Sequence, residues 1–517
     1  MAEVVATQHG KVRGAFGAEH AVWSFKGVPY GATTAGTGRF RPPRPPEPWT
    51  GVRDCVEYGP SCPQMTVAEF TGQDLPDIAE SMMGVWNTER TTSEDCLVLN
   101  VWTPSTDPAA RRPVLVWLHG GGLNTGSASW PLYDFANLAH ANDVVVVSIN
   151  HRLGVLGFLD LSSFGGDFAD SGNACILDVV AALAWVRDRI EAFGGDPGCV
   201  TVFGESGGGA KVNLLLAMPA AEGLFQRAFV MSGTALLVQE QTEARENADR
   251  LLGHLACSGH PARLRDVDVG ALVAGELAVR GGPRAVWQRG PRFAPVLGDA
   301  MPQHPVDALR EGDHRDVTVV AGCTTYEMLP FLDAPGVWEL DDDAVRTRLH
   351  ELFPEIADRI DAGYRATRLG ESPTSRLVAI VSDWAMRVPH VRLAEAAAAG
   401  RSRTFMYRFG WGHPGPDGIV RSGHGTDMPF CFDNLDRAPA FAGPHAAPLV
   451  QAMSRALVSL ARYGRPGHLG LPMWPAYEAS MRATMRIDVE PELEFDPAGA
   501  ERLLWDDVDE PTMGLRA

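Results

Sequence analysis

Lysine is scarce in this chain: only Lys11, Lys26 and Lys211 stand among its 45 basic residues. That bias reads as the codon usage of a GC-rich bacterial genome, and it leaves no basic stripe that could track a phosphate backbone. With 64 acidic residues and a net charge of −19, the surface repels nucleic acid, and small neutral substrates fit better. Long apolar runs are missing too. None approaches the length that spans a bilayer, and the N-terminus MAEVVATQHGKVRG lacks the positive-then-apolar pattern of a signal peptide. The expectation is a soluble cytoplasmic protein with no membrane partner. The eight cysteines (Cys55, Cys62, Cys96, Cys175, Cys199, Cys257, Cys323 and Cys431) form no CxxC pair and no metal-ligand spacing, so a zinc site is not expected. Internal repeats and Gly/Ser or charged linkers are absent as well, so residues 1–517 read as a single domain.

What is present is ordinary globular material, 45% apolar and 21% charged, enough for a large core. PVLVWL (113–118), DVVVVSIN (143–150) and CVTVF (199–203) are short, apolar and rich in valine, as strands buried on both faces should be. Between the last two, Ile176, Val179, Val180, Leu183 and Ile190 recur at helical spacing and Gly194 can end the helix. Strand, helix, strand predicts a parallel crossover and an α/β fold with a large, mostly parallel central sheet. AFVMS (228–232), VTVVAG (317–322) and TFMYRF (404–409) are further strand candidates. The segments at about 240–284 and 341–368 read as helical and are expected to pack above the sheet as a cap.

The stretch CVTVFGESGGGAKV places Ser206 among glycines directly after a strand. A phosphate-cradling loop needs Lys followed by Ser or Thr, and here Lys211 is followed by Val212, so that reading fails. Gly204-Glu205-Ser206-Gly207-Gly208 instead fits the G-x-S-x-G elbow, a serine nucleophile on a strained strand-to-helix turn. Such a serine needs donors for the developing oxyanion. His119-Gly120-Gly121-Gly122, after PVLVWL, matches the loop that supplies them, so Gly121, Gly122 and Gly207 are the expected oxyanion hole. An acid and a base should follow in chain order. Glu327 stands five residues past Gly322, and His424 lies amid small residues in RSGHGTDMPFCF, with Asp427 a rival acid and the rest of the chain's 15 histidines rivals for the base.

With these motifs, and with FKGVPYG, SEDCLVLNVWTP, NHRLGVLGFL and GLFQRAFVMSG, the chain resembles the type B carboxylesterase family, which includes cholinesterases and bacterial p-nitrobenzyl esterases. The likeness runs from Val4 to about Trp505. It implies an α/β-hydrolase fold with helical cap insertions and the triad Ser206, Glu327 and His424. It also implies that Cys62 and Cys96 match a pair bridged in secreted members, expected to stay as thiols in a reducing cytoplasm. Trp86 falls where cholinesterases hold a quaternary ammonium, and packing of the gorge wall is the favoured role here. Leu123, Phe331 and Met428 are the other expected pocket residues. Gly207 replaces the family's usual alanine and is expected to give a more mobile oxyanion donor with catalysis intact; His151 replaces its tyrosine, and Cys175 and Val179 its Gly and Gln, changes expected to alter packing.

The resemblance implies a serine esterase that takes a small or medium ester, works as a monomer or homodimer and needs no cofactor. Two other readings are an acyl transferase or cyclising enzyme using the same triad, and a non-catalytic interaction protein that has lost its nucleophile.

Overall fold

The structure is a computed structural model that describes residues 2–71, 91–234, 238–282, 292–314, 316–332, 336–415 and 418–513. Thirteen strands form one mixed sheet. Its first strands are β1 (Ala2–Ala6), β2 (Lys11–Gly17), β3 (Val22–Pro29), β4 (Val52–Asp54) and β5 (Val98–Thr103). The centre holds β6 (Arg112–Leu118), β7 (Val145–Ile149), β8 (Gly195–Glu205), β9 (Arg227–Met231), β10 (Thr318–Thr324) and β11 (Thr404–Phe409). A two-stranded ribbon, β12 (His413–Pro414) with β13 (Val420–Arg421), lies outside it, and β14 (Ala483–Ile487) and β15 (Glu492–Phe495) close the far edge.

From β7 through β6, β8, β9, β10 and β11 to β14 every pairing is parallel, while the pairings along β1–β2–β3–β5–β7 and between β14 and β15 are antiparallel and β4 joins β2 in parallel. All six strands expected from the sequence are present. The crossover from β7 to β8 does not join neighbours, because β6 lies between them.

Residue alternation along each central strand feeds two cores. Val114, Val116 and Leu118 of β6 face one side, with Ile176 and Leu183 of the crossover helix Ala174–Arg189. Leu115 and Trp117 face the other, with Phe203 and the helix Ala446–Tyr463. This period of two explains why the strands read as unbroken apolar runs. The stretch Gly166–Phe193 is apolar enough by composition to cross a membrane, which the search for apolar runs did not reveal; 67% of that window is buried in the fold. The two segments expected to be helical contain the helices Gln241–His254 and Val269–Arg280, and Asp342–Leu352 and Ala357–Thr367.

Candidate active site

Ser206 stands at the carboxyl end of β8, and the helix Gly207–Leu215 starts on the next residue. Its backbone adopts φ 56° and ψ −125°, a conformation costly for a residue with a Cβ. The turn is locked by Ser206 N–H donating to Met231 O at 2.9 Å and Ala210 N–H donating to Ser206 O at 2.9 Å. A Cβ on Gly208 would lie 2.0 Å from Leu118 O, so the helix can press against the end of β6 only with glycine there. Ser206 is half-exposed while its neighbours from Thr201 to Ala217 are buried, so the hydroxyl is the part of the elbow that a substrate can meet.

After β6 the chain turns at Gly121, whose φ is +95° and whose carbonyl accepts from Asn124 N–H at 3.0 Å and Thr125 N–H at 2.9 Å. That turn brings the loop onto Ser206: a Cβ on Gly120 would lie 3.4 Å from Ser206 Cβ, and one on Gly207 2.6 Å from Gly122 N. The N–H groups of Gly121, Gly122 and Gly207 donate to no acceptor among the described residues. Three unpaired donors converging beside a serine are ready for an oxyanion.

Glu327 follows β10 and is fully buried, as is nearly all of His424. His424 Nδ1 donates to Glu327 Oε2 at 2.5 Å, and Glu327 Oε1 accepts from Ser232 Oγ at 2.6 Å and Thr324 N–H at 2.5 Å. Burial alone would raise the Glu327 pKa, but His424 and these donors outweigh it and hold it below the ordinary value. The rival acid is placed elsewhere: Asp427 accepts from Tyr407 O–H at 2.8 Å, and burial pushes its pKa up to about 7. Thus Glu327, not Asp427, orients the imidazole.

The other imidazole nitrogen is less expected. His424 Nε2 lies 3.1 Å from Glu205 Oε1, and no hydrogen bond joins Ser206 to His424. Burial raises Glu205 to about 8, while the Glu205 and Glu327 carboxylates overcome the burial of His424 and raise it to about 9. Glu205 was in plain sight as the variable position of the G-x-S-x-G motif. Ser232 lay in the quoted GLFQRAFVMSG, but nothing in one sequence says that its hydroxyl meets Glu327.

Of the expected pocket residues, Phe331 packs its ring 5.3 Å from that of His424, and Leu123 follows the Gly120–Gly122 run with φ 73°. Met428 does not join them: it is 1% exposed and packs in the core that contains Trp117 and Phe203. Its placement follows from the helix Met428–Phe432, which is buried along its whole length. Trp86 lies outside the described residues. Phe70, not anticipated, sits on the oxyanion loop, with its ring 2.5 Å from where a Gly122 Cβ would be. Cys62 and Cys96 are both free thiols, and burial followed by the adjoining Cys96 raises the Cys62 pKa.

The carboxylesterase family profile matches residues 1–503. The para-nitrobenzyl esterase of Bacillus subtilis (strain 168) is 34% identical over 507 residues, 97% of this chain and 98% of that protein. The phenmedipham hydrolase of Pseudarthrobacter oxydans is 34% identical over 484 residues, 91% of this chain and 92% of its own. Among solved structures, the Geobacillus stearothermophilus carboxylesterase EST55 superposes with a TM-score of 0.83 at 34% identity, covering 97% of this chain and all of that one. Likeness over nearly the whole of each chain, together with a serine elbow and an acid-oriented histidine, shows that this chain belongs to the carboxylesterase family and is a carboxylic-ester hydrolase.

Proposed function

We propose that Ser206 is the nucleophile, His424 the general base, Glu327 the orienting acid, and the N–H groups of Gly121, Gly122 and Gly207 the oxyanion hole. The observation that carries this reading is the Glu327–His424 contact at 2.5 Å, with Glu327, like the strained Ser206 elbow, just past the carboxyl end of a central parallel strand. Nε2 turns from Glu205 to Ser206 Oγ as substrate enters, in line with catalytic hydrogen bonds that tighten only in the complex.

The Oγ lone pair then attacks the ester carbonyl carbon while Nε2 takes the hydroxyl proton. The carbonyl π pair moves onto oxygen, where the three donors hold it. Collapse expels the alcohol, which leaves with the proton from Nε2. Water repeats the sequence on the acyl-serine and releases the carboxylic acid.

Phe331 and Leu123 line the acyl or alcohol side. The helices near 241–280 and 342–367 act as a cap; in support, Glu276 of the helix Val269–Arg280 accepts from Asn124 Nδ2 at 2.7 Å, next to the oxyanion loop. The para-nitrobenzyl ester named in one relative favours a small or medium ester with an aryl part. The enzyme is read as a cytoplasmic monomer or homodimer.

The test is hydrolysis of p-nitrophenyl acetate, butyrate and octanoate by wild type and Ser206→Ala, with intact-mass detection of an organophosphate adduct. The variant should lose roughly 10⁴-fold or more in kcat and take no label. A wild type that turns over none of these esters and takes no label at Ser206 would sink the assignment.

A further inference from the structure

Behind the oxyanion loop lies a group of buried titratable side chains that the acyl-transfer steps do not use. Lys211, on the helix that starts at Gly207, is completely buried and donates from Nζ to His119 O at 2.9 Å. Among the described residues it forms no ion pair. Lysine is among the residues least often fully buried, and an unpaired buried charge is costly. A core position that needed only volume would hold leucine or methionine.

What surrounds the ammonium is polar but uncharged. The His119 ring stacks on that of His151, centroids 4.6 Å apart and 9° from parallel. His119 Nδ1 lies 2.9 Å from Gly120 O, and His151 Nδ1 2.9 Å from Arg152 O. A carbonyl can only accept, so each Nδ1 carries the proton; neither Nε2 has a partner. Burial first and the Lys211 charge second pull both histidines well below their ordinary pKa, so both are neutral. Cys175 Sγ, 3.4 Å from His151 Nδ1, completes the group, and burial raises its pKa, so it remains a thiol. The groups facing Lys211 from the β6 loop, the β7 loop and the crossover helix are therefore His119, His151 and Cys175, all neutral.

We infer that Lys211 is a positioning residue of the oxyanion hole: its ammonium clamps the His119 carbonyl to the nucleophile helix, and loss of that charge weakens the hole. The carbonyl it grips opens the peptide run whose next units carry the Gly121 and Gly122 N–H groups. A cation with no counter-ion behind these donors also favours the anion that forms in front of them. The inference rests on the assignment of Gly121, Gly122 and Gly207 as the hole.

The charge is removable, because burial lowers the Lys211 pKa to about 8. Its folded value lies below its unfolded one, so the charged form costs stability below about pH 8, and that cost is relieved as pH rises towards the unfolded value. Activity and this stability contribution should thus move in opposite directions over one pH window, which unfolding cannot mimic.

The experiment compares wild type, Lys211→Met and Lys211→Arg on p-nitrophenyl butyrate, with burst titration of the acyl-serine and melting temperatures at each pH. Below about pH 7 the Met variant should lose roughly tenfold to a hundredfold in kcat, less than removing a direct donor costs, with little change in KM. It should melt no lower than wild type. The wild-type to Met ratio of kcat should shrink towards one as pH passes about 8, since titrations elsewhere in the site cancel in the ratio. Lys211→Arg keeps its charge and should lose less activity than wild type as pH rises. A ratio that stays flat with pH, or a Met variant as fast as wild type at neutral pH, overturns the inference. If the Met variant does not fold, the Arg comparison decides by the same criterion. A wild type without an acyl-serine burst overturns the site assignment itself, and this inference with it.

Discussion

His424 sits between two carboxylates, and which of them is ionised decides when it can serve as a base. Glu327 is ionised, because Ser232, Thr324 and His424 all donate to it. Glu205 accepts no hydrogen bond at Oε1, and burial raises its pKa to about 8. A base must be neutral to take the serine proton, so kcat/KM should climb with pH to a limb above the imidazole's usual ~6.5. Glu205→Gln removes the first of the charges that raise His424, and the acid limb should move down by roughly one pH unit. A limb that stays in place would mean that Glu205 carries its proton throughout the working range. Glu327→Gln should be far more damaging. Its amide turns an N–H towards His424 Nδ1 or forces the wrong tautomer, and kcat should fall by about 10⁴, with a lowered melting temperature because the buried carboxylate that three donors share is lost.

The elbow shows how an element is set by contacts that one-dimensional patterns miss. A Cβ at position 208 would meet Leu118 O at 2.0 Å and one at 207 would meet Gly122 N at 2.6 Å, backbone atoms in both cases, with the deeper overlap at 208. Gly208→Ala should therefore cost on the order of 3 kcal/mol, read as a lowered melting temperature. Gly207→Ala should cost less stability than Gly208→Ala and reduce kcat by about tenfold, because the shift it forces falls on Gly122, one of the proposed oxyanion donors. The central strands were legible because both faces are buried and the chain there is almost wholly apolar. Edge strands were not: β4 is exposed at all three residues, and β15 mixes Glu492 and Glu494 with Leu493 and Phe495. The serine elbow and the His424–Glu327 pair were suggested for a similar reason, since Ser206 and Glu327 follow strands that the sequence announces. The Glu205–His424 contact, the Ser232 hydroxyl on Glu327 and the Lys211 clamp each join segments far apart in sequence, and no local pattern encodes their meeting.

At the scale of the whole molecule, the buried groups around the site bend stability away from neutral pH. Burial raises Glu205 to about 8 and Glu276 and Asp427 to about 7, all above the ~4 of an unfolded carboxyl. The folded chain then holds more protons than the unfolded one between about pH 4 and 8, so stability falls as pH rises through that range. His424, raised to about 9, adds a loss of the same sign from about 6.5 upward. Lys211, lowered to about 8, works in reverse above that value. On the acid side, Glu327 and Asp383 are held below their ordinary values, and the stability they supply disappears once they are protonated. These signs place the maximum near pH 5, with a shallow minimum near pH 8 to 9. Urea midpoints measured at intervals from about pH 4 to 10 should trace that shape. Glu276→Gln should flatten the fall between about pH 5 and 7, because the amide has no proton to lose in that interval. A curve that peaks near pH 8 in both proteins would mean that water reaches these carboxyls and that burial does not hold their protons.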